Sequence, residues 1–183
     1  KRFIQRLQSN LQIILQRIEP KIKGRGLWDR IDIDCPTAAN DHYEAIIGAL
    51  ACTPGISHCL EVQEYTLGTF DDVLAHVVRA YGERLQDKRF VVRVKRSGQH
   101  EFSSQDLERY IGGGLLRQIG AVKVDLHTPE ITVNIEVKGQ QLFIVERRVG
   151  GLGGYPQGTQ EPVVSLISGG FDSIVASYLT MKR

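Results

Sequence analysis

The sequence has no long apolar run and no paired cysteines, which excludes several classes of protein. None of its apolar stretches approaches the roughly 20 residues that a membrane-spanning helix needs. Its basic, polar first residues lack the apolar core of a secretory signal. Three cysteines, Cys35, Cys52 and Cys59, are an odd number without a CxxC pair, which predicts neither a disulfide framework nor a zinc site. We therefore expect a cytoplasmic protein in which all three cysteines are small buried side chains.

The chain also lacks the recurrent motifs of several enzyme classes. Its histidines show no metal-ligand spacing, and nothing resembles a Ser/His/Asp or Cys/His nucleophile, so we predict no metal site and no catalytic residue within it. A Walker loop, GxxxxGK followed by Ser or Thr, is absent. The nearest candidate for a dinucleotide-binding GxGxxG starts at Gly151 and has Pro156 where the last glycine belongs.

Composition and charge are those of an ordinary globular protein and do not indicate a partner. The 183 residues suit one or two small domains, with 42% of them hydrophobic and 24% charged. A net charge of only +2 is weak support for a nucleic-acid partner, so the clustering of the cations matters more than their number. The chain begins without methionine inside a helical pattern and ends inside another, which predicts a fragment of a longer protein.

Hydrophobic periodicity predicts a small α+β layer at the start of the chain. Apolar residues at helical spacing predict a helix over 1–18, which Pro20 and nearby glycines end. Strict alternation predicts a strand over 29–34, followed by a helix over 41–51 and a strand over 58–67.

A second unit is predicted from residue 69 onwards. Thr69 is the expected N-cap of one helix, and Ser103 or Ser104 is the expected N-cap of another. Strands are predicted over 89–95, 131–137 and 142–145, with one more within 122–126. Five glycines and a proline within 149–160 then predict a linker, and the apolar residues 163–167 predict a buried parallel strand.

The strongest motif is Ser168-Gly169-Gly170-Phe171-Asp172-Ser173, between this strand and a final helix. Nucleotide phosphates need backbone N–H donors that converge on one point, and glycines without Cβ allow close approach and positive φ. Ser168 and Ser173 add hydroxyls, and Asp172 can cap the helix or help hold a magnesium ion. The string matches the SGGxDS signature of the PP-loop ATP pyrophosphatases at every fixed position.

A cluster of five cations is the second motif. Lys88, Arg89, Arg93, Lys95 and Arg96 fall within nine residues that contain no acid. Alternation places three of them on one strand face, beside the start of a helix, which is typical of a surface for RNA phosphates.

Two interpretations of this cluster stay open. His100 or Phe102 could stack on a base. A solvated edge strand, with Phe102 in the core, explains the same residues equally well. Arg147 and Arg148 either extend the basic surface or only solubilise a strand end.

The order of these parts resembles the bacterial tRNA 4-thiouridine synthetases (tRNA sulfurtransferases), which also serve thiamine-thiazole synthesis. The likeness rests on residues 93–104, 108–114, 153–160 and 165–173. It implies an α+β protein with a ferredoxin-like domain over 1–56 whose first strand is missing, and a THUMP RNA-binding domain over 57–148. A linker over 149–162 and the start of a truncated PP-loop domain over 163–183 would follow.

The resemblance also implies an activity. In this family the PP-loop domain uses ATP with Mg²⁺ to adenylate O4 of a tRNA uridine, and a persulfide sulfur supplied by a cysteine desulfurase then displaces AMP. The first two domains recognise the tRNA, and a homodimer is compatible with this. The sulfur-transfer cysteines of the family correspond to positions beyond Arg183, so we expect this chain alone to be inactive.

Site residues follow by position in the family. ATP is expected at Leu166, Ile167, Ser168, Gly169, Gly170, Phe171, Asp172 and Ser173. The RNA candidates are Arg93, Lys95, Arg96, His100, Arg109 and Arg147. Two other functions stay open, a stand-alone RNA-binding module and another PP-loop amidating or thiolating enzyme with a small-molecule substrate. THUMP methyltransferases are disfavoured, because their cofactor does not need SGGxDS.

Overall fold

A computed structural model describes residues 2–27, 30–35, 41–120 and 123–182. The chain divides into two compact units, residues 1–59 with 149–183 and residues 60–148. The helices are α1 (Arg2–Gln16), α2 (Tyr43–Ala51), α3 (Phe70–Leu85), α4 (Ser104–Ile119) and α5 (Phe171–Met181). The strands are β1 (Lys23–Gly26), β2 (Ile31–Asp34), β3 (His58–Thr66), β4 (Arg89–Ser97), β5 (Lys123–Val124), β6 (Ile131–Lys138) and β7 (Gln141–Gly150). Among the residues described, no helix is both long and apolar enough to cross a membrane.

The first unit is built on α1, α2 and a β1–β2 hairpin. Its buried core consists of Leu11, Leu15, Ile22, Ile46, Leu50 and Ile56. Helix α1 ends at Gln16, before Pro20. Lys23–Gly26 then pairs antiparallel with Ile31–Asp34, in a strand that the sequence did not predict. A Cβ at Gly26 would lie 2.6 Å from the Gln8 amide oxygen, and this glycine therefore allows α1 to lie close to the hairpin.

The predicted strand over 58–67 exists but lies mostly in the second unit. It forms β3, the edge of a five-stranded sheet with the order β3-β7-β6-β4-β5. Strand β4 runs parallel to β5 and β6, while β6 and β7 are antiparallel. The sheet is therefore mixed, and the α+β class is confirmed.

Both helices of the second unit pack on one face of this sheet. The core combines residues of α3 and α4 with alternate strand residues, among them Phe90, Val92 and Val94 of β4. Because side chains alternate along a strand, the residues between them point to the opposite face. The alternation that predicted this strand is confirmed.

Capping boxes begin α3 and α4. The Thr69 hydroxyl accepts the N–H of Asp72, and the Thr69 N–H donates back to the Asp72 carboxylate. Ser103 and Asp106 repeat this arrangement, so the N-cap is Ser103 rather than Ser104. Hydrogen bonds from the capping side chain, and then from its backbone, lower the pKa of each aspartate.

The predicted linker over 149–160 has no helix or strand over 151–160, but its first two residues belong to β7. The segment is also packed rather than free. The N–H of Gly151 donates to Ser57 O at 2.9 Å, and that of Gly153 donates to Ile56 O at 2.7 Å. Pro156 is buried. The segment is thus held against the loop that precedes β3.

Residues 163–167 do not form the predicted strand. Val164 and Leu166 are 92% and 87% exposed. A strand needs a neighbour to satisfy its backbone groups, and no strand within the described ranges lies beside this segment. The predicted final helix does form, and it starts at Phe171.

The cysteines are less buried than expected. Cys35 and Cys52 are exposed, while Cys59 is half-buried, and burial raises the pKa of the Cys59 thiol. The prediction of three buried side chains was therefore wrong for Cys35 and Cys52. Within the described residues, none of the three forms a disulfide.

A substitution within the glycine triplet of α4 tests the packing of α3 against α4. A Cβ at Gly114 would overlap the methyl groups of Leu74, which is buried, whereas a Cβ at Gly113 would meet only Arg117 Nη1 at 3.6 Å. We expect Gly114→Ala to lower the unfolding free energy by about 1–3 kcal/mol. Gly113→Ala should raise it by up to about 1 kcal/mol. Denaturant unfolding followed by circular dichroism measures both, and equal effects would contradict this account.

Candidate RNA-binding and phosphate-binding surfaces

Arg93 and Lys95 form the exposed cationic part of β4. They lie on the sheet face opposite α3 and α4, because they alternate with buried Val92 and Val94. In register they stand beside Asn134 and Glu136 of β6. The Glu136 carboxylate pairs with Lys138 Nζ at 3.2 Å, and no ion pair of Arg93 or Lys95 is found within the described part of the chain.

Two members of the predicted basic cluster are neutralised. Glu130 Oε1 lies 3.4 Å from Lys88 Nζ, and Glu130 Oε2 lies 3.4 Å from Arg89 Nε. Arg89 Nη1 also lies 3.3 Å from Asp125 Oδ2. The acids come from the segment between β5 and β6, so the acid-free window in the sequence did not predict this pairing. The free cations of the strand are therefore fewer than the five in the motif.

Asp125 organises the segment that supplies these acids. Its carboxylate accepts the backbone N–H groups of Thr128 and His127, both at 3.0 Å. These bonds, with help from the Thr128 hydroxyl and Lys123, lower the pKa of Asp125 to about 2. A hydrogen bond from the Arg89 N–H is likewise the main cause that lowers the pKa of Glu130.

Arg96 and His100 belong to a local clip at the end of β4. His100 Nε2 lies 2.8 Å from Gly139 O, while His100 Nδ1 lies 3.3 Å from Arg96 Nη1. Both ring nitrogens are therefore engaged, and the ring joins the β4–α4 loop to the β6–β7 turn. Phe102 is half-buried, packs against the core and meets Phe70 edge-on at 5.0 Å. The alternative that places Phe102 in the core matches the structure.

The remaining RNA candidates lie in different places. Arg147 of β7 lies on the same sheet face as Arg93, because Asn134 is paired with both Arg93 and Val145. Strand spacing places the Cα atoms of Arg93 and Arg147 about 12 Å apart. Arg109 is exposed on α4, across the sheet from both. The structure therefore groups Arg93, Lys95 and Arg147, and it separates Arg109 from them.

Arg117, also exposed on α4, was not selected from the sequence. It lies eight residues after Arg109, a little over two helical turns, so the two side chains share one face. Helical spacing of the cations was the signal that could have indicated it.

The phosphate-loop residues lie together at the start of α5. Gly170 is the N-cap residue, with φ −92°, and no side chain caps the helix. Asp172 therefore does not cap it, and the positive φ expected for the two loop glycines is not found. The Ser173 hydroxyl accepts the Ser168 N–H at 3.2 Å and lies 2.9 Å from Gly170 O, which uses this hydroxyl to shape the loop.

Space around this loop is open. A Cβ at Gly169 would meet no atom within 4 Å, and one at Gly170 would meet only Ser168 Oγ at 3.8 Å. Leu166, Ile167 and Phe171 are also exposed. Backbone N–H groups at a helix start that lack a capping side chain, with open space before them, suit a phosphate group.

Comparison with known proteins identifies the class of the region that holds the RNA candidates and of the region that holds the phosphate loop. Residues 68–145 match the THUMP domain, and residues 158–183 match the thiamine biosynthesis protein (ThiI) family. The tRNA sulfurtransferase of Pseudomonas aeruginosa (strain LESB58) is 45% identical over 100% of this chain and 38% of its own length. That of Azotobacter vinelandii is 44% identical with the same coverage.

Solved structures show the same fold. PH1313 from Pyrococcus horikoshii Ot3 superposes with a TM-score of 0.78 at 20% identity, over 99% of this chain and 59% of that one. A 4-thiouridine synthetase in complex with RNA and bound ATP gives a TM-score of 0.75 at 24% identity, over 98% of this chain and 46% of that one.

The chain is thus a THUMP-domain protein. Over its full length, it is similar to the tRNA sulfurtransferases. It spans about two fifths of the length of these relatives.

The Asp125 hydrogen bonds predict a pH dependence of stability. The pKa of Asp125 is about 2 in the folded chain and about 3.9 when unfolded, so its contribution is complete above pH 4 to 5 and is lost as the pH falls towards 2. Asp125→Asn should lower the melting temperature at pH 7, and the difference from the unmodified chain should shrink between pH 5 and 2. Thermal unfolding across this range measures it.

Glu101→Gln, which removes an exposed carboxylate, is the control for loss of charge alone. A difference between Asp125→Asn and the unmodified chain that stays constant from pH 7 to 2 would contradict the assignment.

Proposed function

We propose that this chain is the tRNA-binding part of an ATP-dependent tRNA sulfurtransferase. The observation that carries this is the exposed pair Arg93 and Lys95, without an ion pair among the described residues, on a strand within the region that matches THUMP. A chain 45% identical to tRNA sulfurtransferases supports tRNA as the nucleic acid. Two unpaired cations on neighbouring exposed positions suit a sugar–phosphate backbone and specify no base.

The contacts divide among the six RNA candidates. Arg93, Lys95 and Arg147 contact phosphates from the sheet face, and Arg96 contacts them from the strand end. His100 positions Arg96 and the loop through its two hydrogen bonds. Arg109 contributes from α4. Recognition then depends on the shape and phosphates of the acceptor arm.

The domain assignment follows from the family. Residues 1–56 form the ferredoxin-like domain, 57–148 the THUMP domain and 149–162 the linker. Residues 163–183 begin the PP-loop domain. The open start of α5 supports this last assignment, because residues 168–173 would hold the phosphates of ATP there.

ATP and Mg²⁺ are the expected cofactors of the whole protein. The 4-thiouridine synthetase complex was solved with bound ATP, which supports the nucleotide. When bound, ATP supplies the AMP group that activates uridine O4. Leu166 and Ile167 would lie against the adenosine, and the exposed Asp172 carboxylate suits Mg²⁺.

Sulfur transfer is assigned outside this chain. A cysteine desulfurase would supply the persulfide, in the cytoplasm, for 4-thiouridine and for the thiamine thiazole. The three cysteines lie in the first unit and receive no role in the transfer. The homodimer stays a prediction.

Binding of tRNA by the 183-residue chain tests the proposal. We expect binding at low salt whose logarithm falls with the logarithm of the salt concentration. Replacing both Arg93 and Lys95 by glutamine should reduce the magnitude of this slope by about 1.4 to 1.8. Each phosphate contact contributes about 0.7 on single strands and 0.9 on duplexes. Filter binding over a salt series measures the slope.

Lys88→Gln is the matched control, because it removes a cation of the same basic run that is already paired with Glu130. Its slope should stay close to that of the unmodified chain. Absence of tRNA affinity at low salt would overturn the proposed function.

The phosphate loop is tested in the whole protein. We expect tRNA-dependent release of pyrophosphate from ATP, and Gly169→Val should abolish it because the new side chain occupies the space before the helix start. The melting temperature should change little, since a Cβ there meets no described atom within 4 Å. Pyrophosphate release that does not depend on tRNA would instead favour an enzyme with a small-molecule substrate.

A further inference from the structure

Helix α4 contains three consecutive glycines, and packing requires only one of them, Gly114. A Cβ at the buried Gly112 would lie 3.6 Å from Val124 Cγ2, which is an ordinary contact. A Cβ at Gly114 would overlap the methyl groups of the buried Leu74 of α3. The middle residue, Gly113, is half-buried, and a Cβ there would meet only the Arg117 guanidinium. A glycine inside a helix lowers helix stability, and nothing in the fold requires one at Gly113.

Gly113 lies at the centre of the outward face of α4. At 100° per residue, Arg109 and Arg117 lie four positions to either side of it and flank it on the same face. Both side chains are exposed. Their Cα atoms are about 12 Å apart along the axis, and Gly113 lies between them with the Arg117 guanidinium beside it.

Three acids lie near this face, and each accepts hydrogen bonds from neutral groups. The Asp106 carboxylate is held by the Ser103 N–H and hydroxyl at the start of the helix. Glu108 points the other way and accepts the Val94 N–H at 2.8 Å. Asp71 accepts the Tyr110 hydroxyl at 2.6 Å. These carboxylates keep their charges, and Asp106 interacts electrostatically with Arg109. No ion pair of Arg109 or Arg117 is found among the described residues, so both guanidinium groups can still reach a phosphate.

We infer that Arg109, Gly113 and Arg117 form a second phosphate-backbone contact, separate from the sheet face of β4. The inference rests on the proposed function, since tRNA is the ligand. When the Arg117 guanidinium turns from Gly113 towards a phosphate, a nucleic-acid strand can approach the helix at Gly113 more closely than at a residue with a side chain. Arg109 then reaches a second phosphate from the other side.

The two surfaces can serve one RNA. The bond from Glu108 to Val94 shows that α4 borders the edge of β4. Strand β5 pairs only with Arg89 and Phe90, so no described strand covers the rest of that edge. An RNA that follows this edge passes from Arg93 and Lys95 on the sheet face to Arg109 and Arg117 on the helix.

Gly82 of α3 supplies a matched control. It also lies within a helix, and a Cβ there would meet only Val78 Cγ1 at 4.0 Å. The residues four positions away are Val78 and Gln86, so it lacks the flanking cations of Gly113. Glutamine favours helices and carries no charge, which makes it the test substitution at both positions.

The experiment is a salt series of tRNA binding by the 183-residue chain. We expect Gly113→Gln to lower the slope by about 1.4 to 1.8, the loss of both arginine contacts, without lowering the melting temperature. Arg109→Gln and Arg117→Gln should each lower it by about 0.7 to 0.9. Gly82→Gln should leave the slope unchanged.

Two failures are distinguishable. If the unmodified chain does not bind tRNA at low salt, the proposed function itself fails. If it binds with the slopes expected for Arg93 and Lys95, but Gly113→Gln, Arg109→Gln and Arg117→Gln all leave the slope unchanged, the second contact is overturned. The arginine variants keep the inference testable even if Gly113→Gln unfolds the helix.

Discussion

The packing of α3 and α4 on one face of the second unit's sheet is the constraint on which the candidate RNA surface depends. Val92 and Val94 face these helices, which forces Arg93 and Lys95 to the opposite face. Gly114 permits the close approach of α4 to Leu74 of α3. The same burial that stabilises the unit therefore decides which cations reach solvent on the sheet and which reach it on α4.

Charge pairing then selects among the cations. Lys88 and Arg89 lie at the start of β4, where Glu130 and Asp125 approach from the segment before β6. Exposed ion pairs add little stability, but they reduce the positive potential that a phosphate would meet. The positive charge that these acids do not neutralise therefore lies at Arg93, Lys95 and the loop end of the strand. This distribution suits a backbone contact rather than base recognition.

In the first unit, the segment that follows β7 is packed in one part and exposed in another. Gly151 and Gly153 complete their hydrogen bonds with the loop before β3, so a stretch that reads as a flexible linker is packed. The apolar residues 163–167 stay exposed, although their composition is that of a buried strand. Residues 168–173 nevertheless take up a compact turn before α5, because the Ser173 hydroxyl bonds within the loop.

Sequence alone was sufficient where the information is local. Periodicity predicted α3, α4, β4 and β6, the capping residue Thr69 was correct, and the SGGFDS string and the family were recognised from their residues. Only the tertiary structure decided that Gly24 and Gly26 lie in a strand and that 163–167 has no partner. It also decided that Glu130 neutralises Lys88, and that Arg109 lies across the sheet from Arg93. Each of these depends on contacts between distant parts of the chain, whose energies do not appear in any local pattern.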